Sequence, residues 1–136
     1  MNQDLIARAQ HTLETQPFSI LLGTKVTKMD GSEVELSLPI RDELKQQHGF
    51  VHGGVLAYLA DNSLTFSGAL ALLSNCVTSE MKINYVRPAI GEMLHARAKT
   101  AYSGSSQAVA TCEIYVVNGG VEKLCAIAQG TIVKTS

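Results

Sequence analysis

Apolar residues along this chain follow first a helical period and then, for most of its length, an alternating one. Leu5, Ile6, Ala9 and Leu13 recur at the spacing of one helix face, so residues 3–15 are predicted as an amphipathic helix, with Pro17 beyond its end. Residues 24–29 read as a strand and Asp30-Gly31 as a two-residue hairpin turn. Val34, Leu36 and Leu38 then alternate with Glu33, Glu35 and Ser37, the pattern of a half-buried strand, which Pro39 closes. Arg41 to Val51 is polar and irregular. Residues 53–73 form the one long helical candidate, roughly 30 Å from end to end.

After Ser74-Asn75 the period returns to two. Ser79, Met81, Ile83 and Tyr85 alternate with Glu80, Lys82 and Asn84, and Leu94, Ala96 and Ala98 alternate with His95, Arg97 and Lys99. Pro88–Gly91 and Ser103–Ser106 read as turns on either side of that second strand. Ala108–Val117 and residues 122–134 are two further strands around the turn Asn118-Gly119-Gly120. The order is a short helix, two strands, one long helix, then four strands joined by tight turns. Hairpins make such strands antiparallel. The chain therefore reads as one α+β domain over residues 1–136, an antiparallel sheet of five to six strands with one long helix against its inner face.

The last strands add a second expectation. Val109, Tyr115 and Val117 stand opposite Ala108, Ala110, Cys112 and Ile114, and Ile127 and Val133 opposite Ala126, Ala128 and Ile132. A sheet covered by a helix on one side shows polar residues on the other. Apolar residues on both faces fit either ordinary exposed valines or, the favoured reading, a contact between subunits.

Composition narrows the class. An apolar content of 46%, a charged content of 17% and a net charge of −1 describe a globular and slightly oily domain. No basic block offers a footprint for nucleic acid. Cys76, Cys112 and Cys125 are widely spaced, without a CxxC pair, which fits reduced thiols in the cytoplasm and no metal site. The start MNQDLIARAQ has no apolar signal core. The apolar run Val55–Leu73 is interrupted by Asp61 and Asn62, so it reads as a buried helix and not as a membrane span.

Candidate chemistry gathers at the start of the long helix, in QQHGFVHGGVLAYLADNSL. Glycine lets another group approach its backbone closely, and the first turn of a helix has free N–H groups and a partial positive charge. A helix beginning near Gly53 can thus hold an oxygen that is becoming negative, although His52-Gly53-Gly54 also serves as a plain tight loop. Asp61 stands among Leu56, Leu59, Ala60 and Leu64. An unpaired buried carboxylate is costly, so Asp61 is expected to be paired, protonated, at a wet site or on the solvent side of the helix. Gly53 and Asp61 lie about 12 Å apart along the axis, too far to act on one carbonyl. If both act, the second comes from another copy, and two helices antiparallel across a two-fold axis create two equivalent sites.

These residues resemble a known family. His52-Gly53-Gly54, a short apolar run and then Ala60-Asp61 look like the hotdog-fold acyl-CoA thioesterases of the phenylacetyl-CoA (PaaI-like) type. MKINYVRPAIGEMLHARAK is similar to the strand pair that follows the helix in that family, and NGGVEKLCAIAQGTIV to its last hairpin. The resemblance spans the whole chain. It implies a sheet wrapped around the central helix, and an acyl-CoA substrate with no separate cofactor. Asp61 matches the catalytic carboxylate, acting as nucleophile or as base for water. Gly53 matches the residue whose N–H polarises the carbonyl, with Gly54 beside it. Gln46 falls where relatives carry an Asn or Gln that holds the reacting group, and His52 where a histidine borders the site. Thr65, and Thr78 or Ser79, match positions for a hydroxyl that orients water. Lys82, Arg87 and Arg97 are the cations expected near the coenzyme A phosphates, each also readable as a solvated strand charge. The turn Ser103–Ser106 departs from the family by carrying no basic residue.

Phe50, Tyr58, Leu59 and Phe66 suit a pocket for an aromatic or medium-chain tail, and core packing explains them equally well. His48, His11 and His95 read as loop, surface or packing residues. No GxSxG elbow supports a serine triad. Two rivals stand beside the thioesterase. A hotdog hydratase would use an Asp with a His, and Asp42 and His48 approach that spacing, but the Gly-Asp-x-Asn-Pro pattern is missing. A non-catalytic acyl-CoA binder would not need Asp61. The expected assembly is a homodimer that completes the site, doubled into a homotetramer.

Overall fold

The computed structural model describes residues 2–135. Its elements in order are α1 (Asn2–Glu14), α2 (Pro17–Leu22), β1 (Lys25–Asp30), β2 (Glu33–Pro39), a 3-10 turn (Asp42–Leu44), α3 (Gly53–Leu72), β3 (Cys76–Tyr85), β4 (Met93–Ser103), β5 (Gln107–Asn118) and β6 (Val121–Lys134). The six strands form one antiparallel sheet in the order β1-β2-β4-β5-β6-β3. This is the expected α+β class, with α3 lying along the inner face.

Alternation builds that inner face. Val34, Ala98, Cys112, Ala128 and Ile83 face one another across five strands, and Leu36, Ala96, Ile114, Ala126 and Tyr85 make the next row. Alanine dominates the middle of both rows, so the helix sits close. Val55, Leu56, Leu59, Ala60, Leu64 and Leu72 bury the opposing side of α3. Its buried hydroxyls are satisfied: Ser67 donates to the Ser32 carbonyl at 2.6 Å and Ser63 to that of Ala60 at 3.1 Å. At Gly68 the helix lies close enough that a Cβ would stand 2.6 Å from Cγ2 of Ile132. By length and composition alone α3 is able to cross a bilayer, yet half of that stretch is buried against the sheet.

Three expectations need correction. Pro17 does not merely follow α1; it is the first residue of α2, where its fixed φ suits a helix start. The first hairpin turns one residue later than predicted, at Gly31-Ser32, with Asp30 paired to Glu33 and Gly31 left-handed at φ 63°. The strands β3 and β4 are not a hairpin. β3 pairs with β6, and Val86 and Arg87 extend that pairing by donating to the Cys125 carbonyl at 3.0 and 3.3 Å. Both sides of β4 are already occupied, by β2 and β5.

The outer face carries both apolar residues and, at its middle, an ionic network. The Arg97 Nε donates to Glu35 at 2.7 Å, its two terminal nitrogens donate to Glu122 at 2.9 and 2.6 Å, and its guanidinium lies 4.9 Å over the Tyr115 ring. Thr27 donates to Glu35 at 2.7 Å, and the Ser37 hydroxyl meets His95 Nδ1 at 2.6 Å. Val109, Val117 and Ile127 flank this network, with Ile127 41% exposed.

Burial works against the charge on Glu35, but the Thr27 hydroxyl and Arg97 outweigh it and hold its carboxyl below the ordinary 4.5. A carboxylate with a lowered folded value stabilises the fold fully above its unfolded value and loses that contribution as pH falls through the folded one. The thermal midpoint should therefore decline below pH 4.5, and Glu35→Gln should flatten that decline; equal slopes in parent and variant would contradict this. At Gly68 the collision is with a branched side chain in the core. Gly68→Ala is expected to lose about 1–3 kcal/mol in a urea titration, the usual range for overpacking, and an unchanged midpoint would show that Ile132 yields freely.

Candidate active site

The segment before α3 is irregular but tied down. Gln46 N–H donates to the Phe50 carbonyl at 2.9 Å and Gly49 N–H to that of Gln46 at 3.0 Å, while the Gln46 Oε1 accepts from the His48 N–H. Its side-chain NH2 is left free of partners among the described residues. His52 N–H donates to Leu44 and Val51 N–H to Ala89, at 2.9 and 3.0 Å. These bonds deliver His52 to the N-cap of α3 in an extended conformation, where its Nδ1 accepts from the Gly54 N–H at 2.8 Å. That bond requires a neutral ring with its proton on Nε2.

The consequence is an asymmetry between the two glycines. The Gly54 amide is taken by its own cap. The Gly53 N–H has no hydrogen-bond partner among the described residues. It stands at the positive end of a 20-residue helix. A groove of about 310 Å³ opens beside it, bounded by Phe50 and Leu56 on one side and by Tyr85, Arg87 and Pro88 on the other. Arg87 is exposed and makes no ion pair among the described residues.

Asp61 sits on the open stripe of α3. Gly53, Thr65 and Gly68 face the β3–β6 side, touching Tyr85, Thr78 and Ile132. Tyr58 and Asn62 face α2. Between these two flanks the Asp61 side chain is exposed, with no hydrogen bond or ion pair to its carboxylate among the described residues. Within one chain it is the solvent-side aspartate that the sequence allowed. The helix keeps it about 12 Å from Gly53.

The other predicted residues divide by place. Thr65 donates to the Asp61 carbonyl at 2.8 Å and its hydroxyl lies 2.8 Å from that of Thr78, so two of the three hydroxyl candidates form one pair a turn from Asp61. Ser79 is at a bulge of β3 and donates to the Thr131 carbonyl at 3.3 Å. Tyr58 is anchored on the α2 side: its hydroxyl lies 2.6 Å from Ser19 Oγ and donates to Thr24 at 2.8 Å, and Phe18 meets its ring edge-on at 5.1 Å. Asn62 joins that cluster through Gln16 and Ser19 at 3.1 and 3.2 Å. Leu59 is fully buried core, while Phe66 is half-buried. Lys82 is paired across from Gln129 on the outer face, away from the groove, and Arg97 is held there by two glutamates. A larger concavity of about 920 Å³ lies on that outer face. It holds the ionic network and, of the predicted site residues, Lys82 and Arg97 only, so the smaller groove is the one tied to the candidate chemistry.

Sequence reasoning missed Tyr85 as a member of this site. Its hydroxyl donates to the Gly53 carbonyl at 3.1 Å. Alternation placed it on the inner face of β3, but nothing in the pattern ties it to a residue 32 positions earlier. The Tyr58 cluster with Gln16, Ser19 and Asn62 was missed for the same reason.

With this geometry in view, the relatives fall into place. The family model described as the Thioesterase superfamily matches residues 48–123, which include the N-cap, Gly53 and Asp61. The chain belongs to the Thioesterase superfamily. A thioesterase family protein from Silicibacter pomeroyi has a crystal structure similar to this one, with a TM-score of 0.86 and 30% identity over 92% of this chain and 93% of that one. Thioesterase HI1161 of Haemophilus influenzae aligns with a TM-score of 0.80 at 24% identity, covering 90% of this chain and 85% of its own. The E. coli PaaI protein, from the phenylacetic acid degradation operon, aligns at 0.79 and 23% over 96% and 94%. These last two speak to the fold, which is the hotdog fold that the sequence resembles. Family membership supports hydrolase activity on a thioester.

The cap has a measurable share in stability. His52→Ala removes the acceptor for Gly54 N–H and should cost about 1 kcal/mol in urea unfolding, whereas His52→Asn should recover most of it. Equal stability of the alanine variant and the parent would show that the ring is not the cap in solution.

Proposed function

We propose that the protein hydrolyses the thioester of an acyl-CoA with an aromatic or medium-chain acyl group, at a site shared between two copies of the chain. The observation that carries this reading is a Gly53 N–H at the helix start, beside a groove, and a carboxylate on the same helix that it cannot reach, both without partners among the described residues. The Gly53 N–H of one copy stabilises the oxyanion that forms on the carbonyl. Asp61 of the other attacks that carbonyl, or draws a proton from the water that does. The carbon–sulfur bond breaks and coenzyme A leaves as the thiolate, which takes up a proton from the water that is consumed; where Asp61 attacked directly, that water then hydrolyses the mixed anhydride, freeing the acid and restoring the carboxylate. Preorganised donors of this kind contribute most in a site closed to water, and a second copy over the open stripe of α3 provides that closure.

Assembly follows from the same reading. The strand β3 is an edge of the sheet, unpaired on its far side, and it borders the Asp61 stripe through Thr78. Natural proteins seldom leave a ten-residue edge open. A second copy docked there, antiparallel across a two-fold axis, covers the edge and brings each Gly53 toward the other copy's Asp61. The apolar flanks of the outer face, Val109, Val117 and Ile127, support a further pairing into a homotetramer. The Gln46 NH2 and the His52 ring border the reacting carbonyl, the Thr65–Thr78 pair orients water, and Arg87 meets phosphate at the groove mouth. Lys82, on the outer face, reaches that phosphate only if the partner's surface brings it round. Coenzyme A is part of the substrate and no cofactor is needed. The widely spaced thiols support a cytoplasmic setting.

A panel of acyl-CoA thioesters followed with a thiol reagent tests this directly. Asp61→Ala is expected to lower kcat by at least about 100-fold, within the range for loss of a general base or nucleophile, while acyl-CoA binding persists. Undiminished turnover in that variant contradicts the mechanism. Loss of enoyl absorbance without thiol release would mark a hydratase, and binding without turnover of any chain length a carrier.

A further inference from the structure

Two successive glycines are a poor way to begin a helix. Glycine gives up more backbone freedom than any other residue when it is ordered, and terminal turns fray. The peptide that carries the Gly53 N–H is tied through the His52 carbonyl, which accepts from Val55 N–H at 2.9 Å, and the next peptide through the Gly54 N–H on His52 Nδ1 at 2.8 Å. Between these two peptides the Gly53 Cα, with no side chain of its own, still needs a group to pack against it.

We propose that Tyr85 is that group, a positioning residue that fixes the first turn of α3 so that the Gly53 N–H faces the thioester carbonyl; the proposal rests on the function given above. Two contacts support it. The Tyr85 hydroxyl donates to the Gly53 carbonyl at 3.1 Å. Its ring lies against the Gly53 Cα, so that a Cβ there would meet Cε1 and Cζ at 3.3 Å and the hydroxyl oxygen at 3.4 Å. The anchor is itself secured. Tyr85 is the last residue of β3, paired with Ala126, and the backbone just after it bonds to Cys125. The rigid sheet thus reaches across to the Gly53 Cα and its carbonyl, immediately after the peptide that carries the free N–H. Because the ring is 53% exposed and also lines the groove, it contributes little to the core.

A group that only orients the amide acts on the transition state, where charge develops on the oxygen, more than on the bound ground state. Misalignment of reacting groups by about 1 Å can cost up to about 100-fold in rate. Tyr85→Phe, which loses the hydroxyl and keeps the ring, is expected to lower kcat by about 3- to 10-fold. Tyr85→Leu, which loses both contacts, should lower it by about 10- to 100-fold. In both, KM should stay within about twofold of the parent and the unfolding midpoint should hold, because differential stabilisation of the transition state leaves substrate affinity alone. An unchanged kcat in both variants overturns the proposal. So does a raised KM at constant kcat, which would make Tyr85 a substrate contact. If the parent hydrolyses no acyl-CoA at all, the function reading fails, and the positioning claim is judged by 15N relaxation. The Gly53 amide order parameter should fall in Tyr85→Phe, and an unchanged value rejects it.

Discussion

A helix is a rigid ruler, and here it sets the terms for everything else. Eight positions of α3 separate Gly53 from Asp61, about 12 Å that no side-chain motion closes. That ruler is straight and fixed because the sheet beneath it is floored with alanines and because Gly68 lets it settle onto Ile132. The same packing buries one side of α3 and leaves the other as an open stripe. The free amide sits at one end of the helix and the unpartnered acid two turns along that stripe.

In the proposed reading, each half of the chemistry is prepared but unfinished within a single copy. At the helix start, the N-cap consumes the Gly54 amide and spares that of Gly53, while the loop from Gln46 to His52 is fastened by its own hydrogen bonds. Around Asp61, a threonine pair on one flank and the Tyr58 cluster on the other hold the walls in place without touching the carboxylate. That an apolar helix carries a charge has a physical answer: the charge is not in the core. It lies on a strip of helix open to solvent.

Local signals made much of this legible. The period of α3, its N-terminal His-Gly-Gly and the glycine turns bounding β5 and β6 all act over a few residues, and the pattern recovered them. Pro17 was ambiguous because a proline beyond one helix can equally open the next. The placement of β3 beside β6 was hidden because partner choice among distant strands is decided by which inner rows match under the helix, which alternation alone does not encode. Arg97 looked like a free cation for the same reason: its partners Glu35 and Glu122 stand 62 and 25 residues away. The spacing of Gly53 and Asp61 could be read from the sequence, since helix geometry turns residue count into distance. The grip of Tyr85 on Gly53 could not.

The central claim is that an amide from one copy and an acid from another act on the same bond. The direct measurement mixes two inactive variants. Asp61→Ala lacks the acid, and Gly53→Pro lacks the amide hydrogen at a helix position that tolerates proline. Unfolded and refolded together, they form mixed dimers in which one of the two centres regains an intact pair. The account predicts thiol release from an acyl-CoA substrate in the mixture, approaching about a quarter of the parent rate for random pairing of equal amounts. A mixture as inactive as its two components, with mixed dimers shown to be present, would contradict it.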